Sequence, residues 1–154
     1  MLELACHFEE DQELWAMAGL LHDIDYDTTA DSETLHSAIG ADLLEEKGFC
    51  GELVYAVRVH NHVHGLPRIS LLDKALFAAD PLSGLIVAAA LIHPEKRLAP
   101  LNPEFIIKRF GEKAFARGAN REQIATCSEI GLSLEEFITI GLRAMQQNAT
   151  EVGL

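Results

Sequence analysis

A chain of 154 residues, 49% apolar and 23% charged, is long enough to bury one core and fits a single domain. Its formal net charge of −12 argues against broad contact with nucleic-acid polymers or anionic membranes, because surfaces that bind them are usually basic; only a localised basic patch is exempt. Cys6, Cys50 and Cys127 are odd in number and widely spaced, no secretory leader is evident, and the apolar stretch Leu85 to Ile92 is too short to span a bilayer, so a soluble cytoplasmic protein is expected.

Apolar residues recur at helical spacing nearly throughout, with no convincing alternation of β-branched residues, which predicts an all-α bundle of seven or eight helices. The predicted helices run roughly over 1–8, 12–24, 33–47, 51–62, 70–91, 103–117, 121–128 and 133–147. On the second, Trp15, Ala18 and His22 fall at i, i+3 and i+7, and Asp23 follows about 100° further round, next to an apolar face of Leu14, Met17 and Leu21. A buried carboxylate there needs compensation, which a metal ion supplies directly. Asp25 and Asp27 read as loop acids, with orientation of ligands or water as the alternative.

The third helix takes Asp31 or Ser32 as its cap, Gly48 as its end, and Leu35, Ile39 and Leu43 as its core face, with His36 beside them. Gly40 is expensive inside a helix unless something must approach closely. On the fourth, Leu53, Val57 and His60 share a stripe, while His62 and His64 are less constrained. On the fifth, Asp80 follows Asp73, Leu76 and Phe77 on one face. Arg58 and Lys74 are candidate phosphate contacts. Further on, Asn102 and Pro103 form a cap and first-turn proline, and Ser133 opens a capping box. Arg109, Lys113 and Arg117 follow at i, i+4 steps with Arg121 one turn beyond, either a solvated face or a patch receiving an anionic substrate or partner.

Four helices thus each offer an imidazole or a carboxylate from an apolar face, the way bundle cores build metal sites. Mixed nitrogen and oxygen donors suit Mn, Fe, Zn, Co or Ni, as one or two ions. With an open position, such a site activates water and polarises a phosphoryl oxygen, so hydrolysis is the expected chemistry. The bland alternative is a polar network that only satisfies itself.

Several segments resemble the HD-domain superfamily of metal-dependent phosphohydrolases, usually all-α bundles. "LLHDID" is similar to its His-Asp element at His22 and Asp23, and "LFAAD" to its last element at Asp80; "HSAIGADLL" and "VRVHNH" resemble the segments that carry extra histidines in two-metal members. "DKALFAAD" through "FARGANREQI" is similar to a bacterial subgroup of small HD proteins. The resemblance implies one metal on His22, Asp23 and Asp80 and a second on His36 and His60, with His62 the lesser candidate. Asp23, Lys74 and Arg58 would take part in catalysis on a small phosphorylated substrate such as a nucleotide.

Three departures accompany it. The family's first metal histidine comes from a helix upstream of the His-Asp pair and has no counterpart here, His7 lying too near the pair. This implies either that the sequence begins too late to contain it, lacking the start of its first helix, or that the chain is a degenerate member, and with the latter an alternative function: a catalytically silent module that binds a nucleotide or a partner protein. Asn61 and His62 stand where two-metal members often show a histidine and a glutamate, and Pro81 follows Asp80 at once, which predicts a kink there. The terminal "MLELACHF" further suggests a groove that a second copy, in a homodimer, would fill.

Overall fold

The computed structural model describes residues 1–154, with Val152 described only by its place in the last helix. Among the described residues there are helices and turns and no strand: α1 (Leu2–Phe8), α2 (Gln12–Leu21), α3 (Tyr26–Thr29), α4 (Ala38–Glu46), α5 (Gly51–Val59), α6 (Leu71–Ile92), α7 (Pro103–Gly111), α8 (Arg121–Ala125), α9 (Leu134–Gln147) and α10 (Ala149–Val152), with 3-10 turns at His62–His64 and Thr126–Ile130. The fold is all-α. Two compact units divide the chain, Met1–Phe77 and Ala78–Leu154, and their border falls inside α6.

In the first unit, the Asp11 carboxylate accepts from the N–H groups of Glu13 and Leu14 and so starts α2, whose Trp15 and Ala18 are fully buried. α5 packs against both α2 and α4. Its Leu53, Val54, Ala56, Val57 and Val59 are all buried, which leaves this short helix only the narrow face of Glu52, Tyr55 and Arg58 toward solvent. α6 opens with reciprocal capping: Asp73 accepts through Oδ2 from Ile69 and Ser70, and Ser70 Oγ accepts from the Asp73 N–H. That pairing explains why Asp73 is only 2% exposed.

In the second unit, Asn102 caps α7 ahead of Pro103, and Ser133 and Glu136 close the capping box of α9. α7 packs on α9. A Cβ on Gly141 would lie 2.9 Å from Leu82 Cδ2, so glycine lets the backbone of α9 approach the apolar side of α6. Gln146 ties the far end of α9 to the chain before α7, donating to the carbonyls of Leu98 and Leu101 at 3.0 Å each.

Four expectations need correction. The third predicted helix does not run from 33: α4 begins at Ala38 behind Ser37, whose φ is +67°. In a continuous helix the Gly40 N–H would bond to the His36 carbonyl. It donates instead to Asp25 Oδ2 at 2.8 Å, while the His36 carbonyl accepts from Asn61 Nδ2 at 3.1 Å and His64 Nε2 at 2.9 Å. Tertiary hydrogen bonds have replaced helical ones. The break shifts the phase, leaving Leu35 and Ile39 exposed at 49% and 42% and burying Gly40, Ala41 and Leu44 in place of the expected stripe. The fourth helix stops at Val59 and α7 stops at Gly111, so Arg109, Lys113 and Arg117 do not line one helix. Finally, the apolar run from Leu85 belongs to the 22-residue α6, which is long and apolar enough by length and composition to cross a bilayer, although 56% of its most apolar window is buried within the protein, as in a core helix.

Candidate metal centre

Two histidines occupy the same local position. His22 ends α2 and His60 ends α5, each as the residue after the last helical turn. Each donates Nδ1–H back to the carbonyl three residues earlier, His22 to Gly19 at 2.8 Å and His60 to Val57 at 2.5 Å. A last-turn carbonyl is thereby satisfied, and because that carbonyl can only accept, the proton sits on Nδ1 and Nε2 keeps its lone pair. The negative ends of both helix dipoles favour a cation in front of these rings.

His36 is aimed by a different device. Its Nδ1 donates to Asp25 Oδ1 at 3.0 Å, and Asp25, 3% exposed, is fixed in turn by the Gly40 N–H on Oδ2. A Cβ on Gly40 would lie 3.1 Å from Asp25 Cγ, so the close approach anticipated at this glycine is the approach of the Asp25 carboxylate. Thr29 supports the same turn by donating to the Asp25 carbonyl at 2.9 Å. Tyr26 sets its ring edge-to-face on His36 at 5.5 Å between centroids.

The three imidazoles converge on Asp23. His36 Nε2 and His60 Nε2 lie 3.3 and 3.5 Å from Asp23 Oδ1 and 3.2 Å from each other, while His22 Nε2 lies 3.3 Å from Asp23 Oδ2. The His60 ring stands perpendicular to the other two, its centroid 5.1 Å from each. One donor atom apiece from His22, Asp23 and His60 fits within 4.8 Å, so His60 stands beside the His-Asp pair as well as beside His36. Donor atoms sharing a metal at bond lengths of about 2.0–2.2 Å lie roughly 3.0–3.5 Å apart, the range of the separations around Asp23. Two Nε2 lone pairs facing each other at 3.2 Å repel unless a cation or a proton stands between them. The donor set therefore fits a divalent metal.

Asp23 is 45% exposed along its side chain, more open than a core position predicts, so the carboxylate meets the histidines on one side and solvent on the other. Its burial opposes ionisation and is the largest single influence, yet the imidazoles of His60, His22 and His36, when protonated, together outweigh it and hold the carboxyl below its ordinary value.

The remaining candidates are placed elsewhere. His62 is exposed on its 3-10 turn. His64 and Asn61 hold the backbone at His36, Asn61 also binding the Glu33 carbonyl at 2.7 Å. Arg58, expected to meet phosphate, directs its guanidinium to Asp42 at 2.6 Å and Glu45 at 4.0 Å. Lys74 is half-buried near the start of α6. Asp80 belongs to the second unit, where it lines a cleft with Pro81 and Ser83. α6 continues through Pro81 and does not end there. Asp27, expected as a loop acid, is an exposed residue in the first turn of α3, whereas Asp25 takes the orienting role.

The model of the HD domain matches residues 1–85. Among curated proteins, the chain is 36% identical over 124 residues to ribonuclease Y of Desulfotalea psychrophila, covering 77% of this chain and 23% of that protein. It is 36% identical over 81 residues to ribonuclease Y of Oleidesulfovibrio alaskensis, covering 53% and 15%, and 34% identical over 125 residues to ribonuclease Y of Desulforudis audaxviator, covering 77% and 23%. The chain thus spans less than a quarter of the length of these relatives. No solved structure gives a significant match.

Proposed function

The chain belongs to the HD-domain family, and from that membership we propose that it is a metal-dependent phosphohydrolase acting on a small phosphate ester, nucleotides included. The observation that carries the reading is the convergence of three Nε2 atoms on the two oxygens of Asp23. His22, Asp23 and His60 hold a divalent transition metal. His36, facing the same carboxylate oxygen as His60, either completes that set or holds a second ion. When bound, the metal supplies a Lewis acid for a phosphoryl oxygen and for water.

The chain's own groups supply the rest. The Nδ1 hydrogen bonds fix each ring before metal arrives, and the Asp25 carboxylate sets the orientation and tautomer of His36. Asp23 is the most exposed of these side chains, so it is the group placed to orient water beside the phosphorus. Lys74 is the candidate cation for the phosphate. Arg58 is left out, being neutralised by Asp42 and Glu45.

A second reading follows from the relatives' name: hydrolysis of an RNA phosphodiester. The net charge of −12 favours the small substrate. The test is elemental analysis of the chain purified without chelator or affinity metal, followed by turnover of aryl phosphates, mononucleotides and a short RNA. One or two transition-metal ions per chain with turnover of monoesters, both lost in His60→Ala, is the expected result. Cleavage of the RNA alone would replace the substrate assignment. Bound metal with no turnover of any of them would favour the silent module, and no metal after reconstitution would end the metal-centre reading.

A further inference from the structure

We infer that the loop 112–120 of the second unit is an anion site that holds the oxygens of a small phosphorylated ligand. It is built from residues of that unit alone, and no residue of the His-Asp cluster takes part.

The loop is organised by one side chain. Arg121 donates through Nη1 to the carbonyls of Ala116 at 2.5 Å and Ala119 at 2.7 Å, through Nη2 to that of Phe115, and through Nε to that of Phe110 at 3.4 Å. These acceptors are all carbonyls, so the guanidinium keeps its formal charge uncancelled beneath the loop. The clamp also holds Ala116 at φ +42°, a left-handed conformation that alanine seldom adopts and that a loop keeps only when its surroundings impose it. The loop is thus shaped before any ligand arrives.

What this shape presents is basic. A groove of about 720 Å³ is lined by Lys113, Arg117 and Arg121 against the single carboxylate of Glu122. Its volume lies in the range of small-molecule sites. Lys113 and Arg117 are exposed, and neither forms an ion pair among the described residues. In a chain of net charge −12, three cations around one groove are a local reversal of sign. Phosphate is the anion such a set recognises best, since the Arg117 guanidinium can grip two oxygens and Lys113 adds a point charge. The groove shares Gly118 and Ala119 with the cleft lined by Asp80, Pro81 and Ser83, which leaves room for the remainder of the ligand.

The test is calorimetric titration of the full chain with inorganic pyrophosphate, with a chelator present so that the signal is independent of the proposed metal centre. Saturable binding is expected in the wild type and in His60→Ala. Affinity should fall at least about tenfold in Arg117→Ala and further when Lys113→Ala is added, a loss of the size expected for charge-assisted hydrogen bonds. Both residues are exposed, and a circular dichroism spectrum checks that the variants fold. Absence of saturable binding, or equal binding by Arg117→Ala, would overturn the site. Binding of a short single-stranded RNA, with the same dependence on Arg117 but without pyrophosphate binding, would overturn the small-ligand assignment in favour of a polymer groove.

Discussion

Asp25 shows how one buried carboxylate can decide the tautomer of an imidazole it orients. Both of its oxygens are committed, Oδ1 to His36 and Oδ2 to the Gly40 N–H. In Asp25→Asn the amide oxygen has to accept from Gly40, which turns the amide NH₂ toward His36 Nδ1. Two donors cannot face each other, so the imidazole proton moves to Nε2 and the lone pair that faces Asp23 is lost. Metal affinity should drop by about 10–100-fold, the usual size for a supporting partner of a histidine ligand, while the far-ultraviolet spectrum stays unchanged. Equal metal affinity in a direct titration would show that His36 is no ligand. Gly40→Ala probes the same contact from the other side. A helix interior ordinarily gains about 1 kcal/mol from that change. Here the new Cβ meets Asp25 Cγ at 3.1 Å, and the expected outcome is destabilisation by about 1–3 kcal/mol in urea unfolding. A stabilised variant would mean that the carboxylate can withdraw.

At the scale of elements, the third predicted helix separates what local sequence can say from what it cannot. Asn102 before Pro103, Ser133 before Leu134 and Gly48 after α4 act on neighbours within four residues, so their roles were legible in sequence order. His22 and His60 were legible too, because the apolar positions one and two turns before them fixed the face they share. The break at Ser37 was not, because the groups that make it, Asp25, Asn61 and His64, lie 12 or more residues away in sequence. The orienting role of Asp25 was hidden for the same reason. Its one local signal was the unexplained Gly40. The turn at 33–37 should therefore depend on Asn61 more than on its own residues. Asn61→Ala leaves the carbonyl of Glu33 without its side-chain donor and removes one from that of His36. The expected loss is about 1–3 kcal/mol, read from urea midpoints, with faster hydrogen exchange confined to residues near 33–40. Global exchange at unchanged stability would assign the break to Ser37 itself.

Over the whole molecule, charge is divided far more unevenly than mass. Met1–Phe77 carries fifteen acids against four Lys and Arg, and Ala78–Leu154 carries nine against eight. Nearly all of the net charge therefore belongs to the unit that presents the histidines, and self-repulsion there opposes compaction. A divalent ion relieves this in two separable ways: general screening, which any salt provides, and direct coordination, which only the donor set provides. Melting experiments can divide them. Sodium chloride should raise the melting midpoint of wild type and His60→Ala alike. A transition metal at a hundredfold excess over its dissociation constant should add about 2.7 kcal/mol to the wild type alone. At equal ionic strength, a rise in His60→Ala as large as in the wild type would reduce the metal's effect to screening of an acidic surface. A rise confined to the wild type would tie stability to the ring nitrogens around Asp23, because screening does not depend on where one imidazole points.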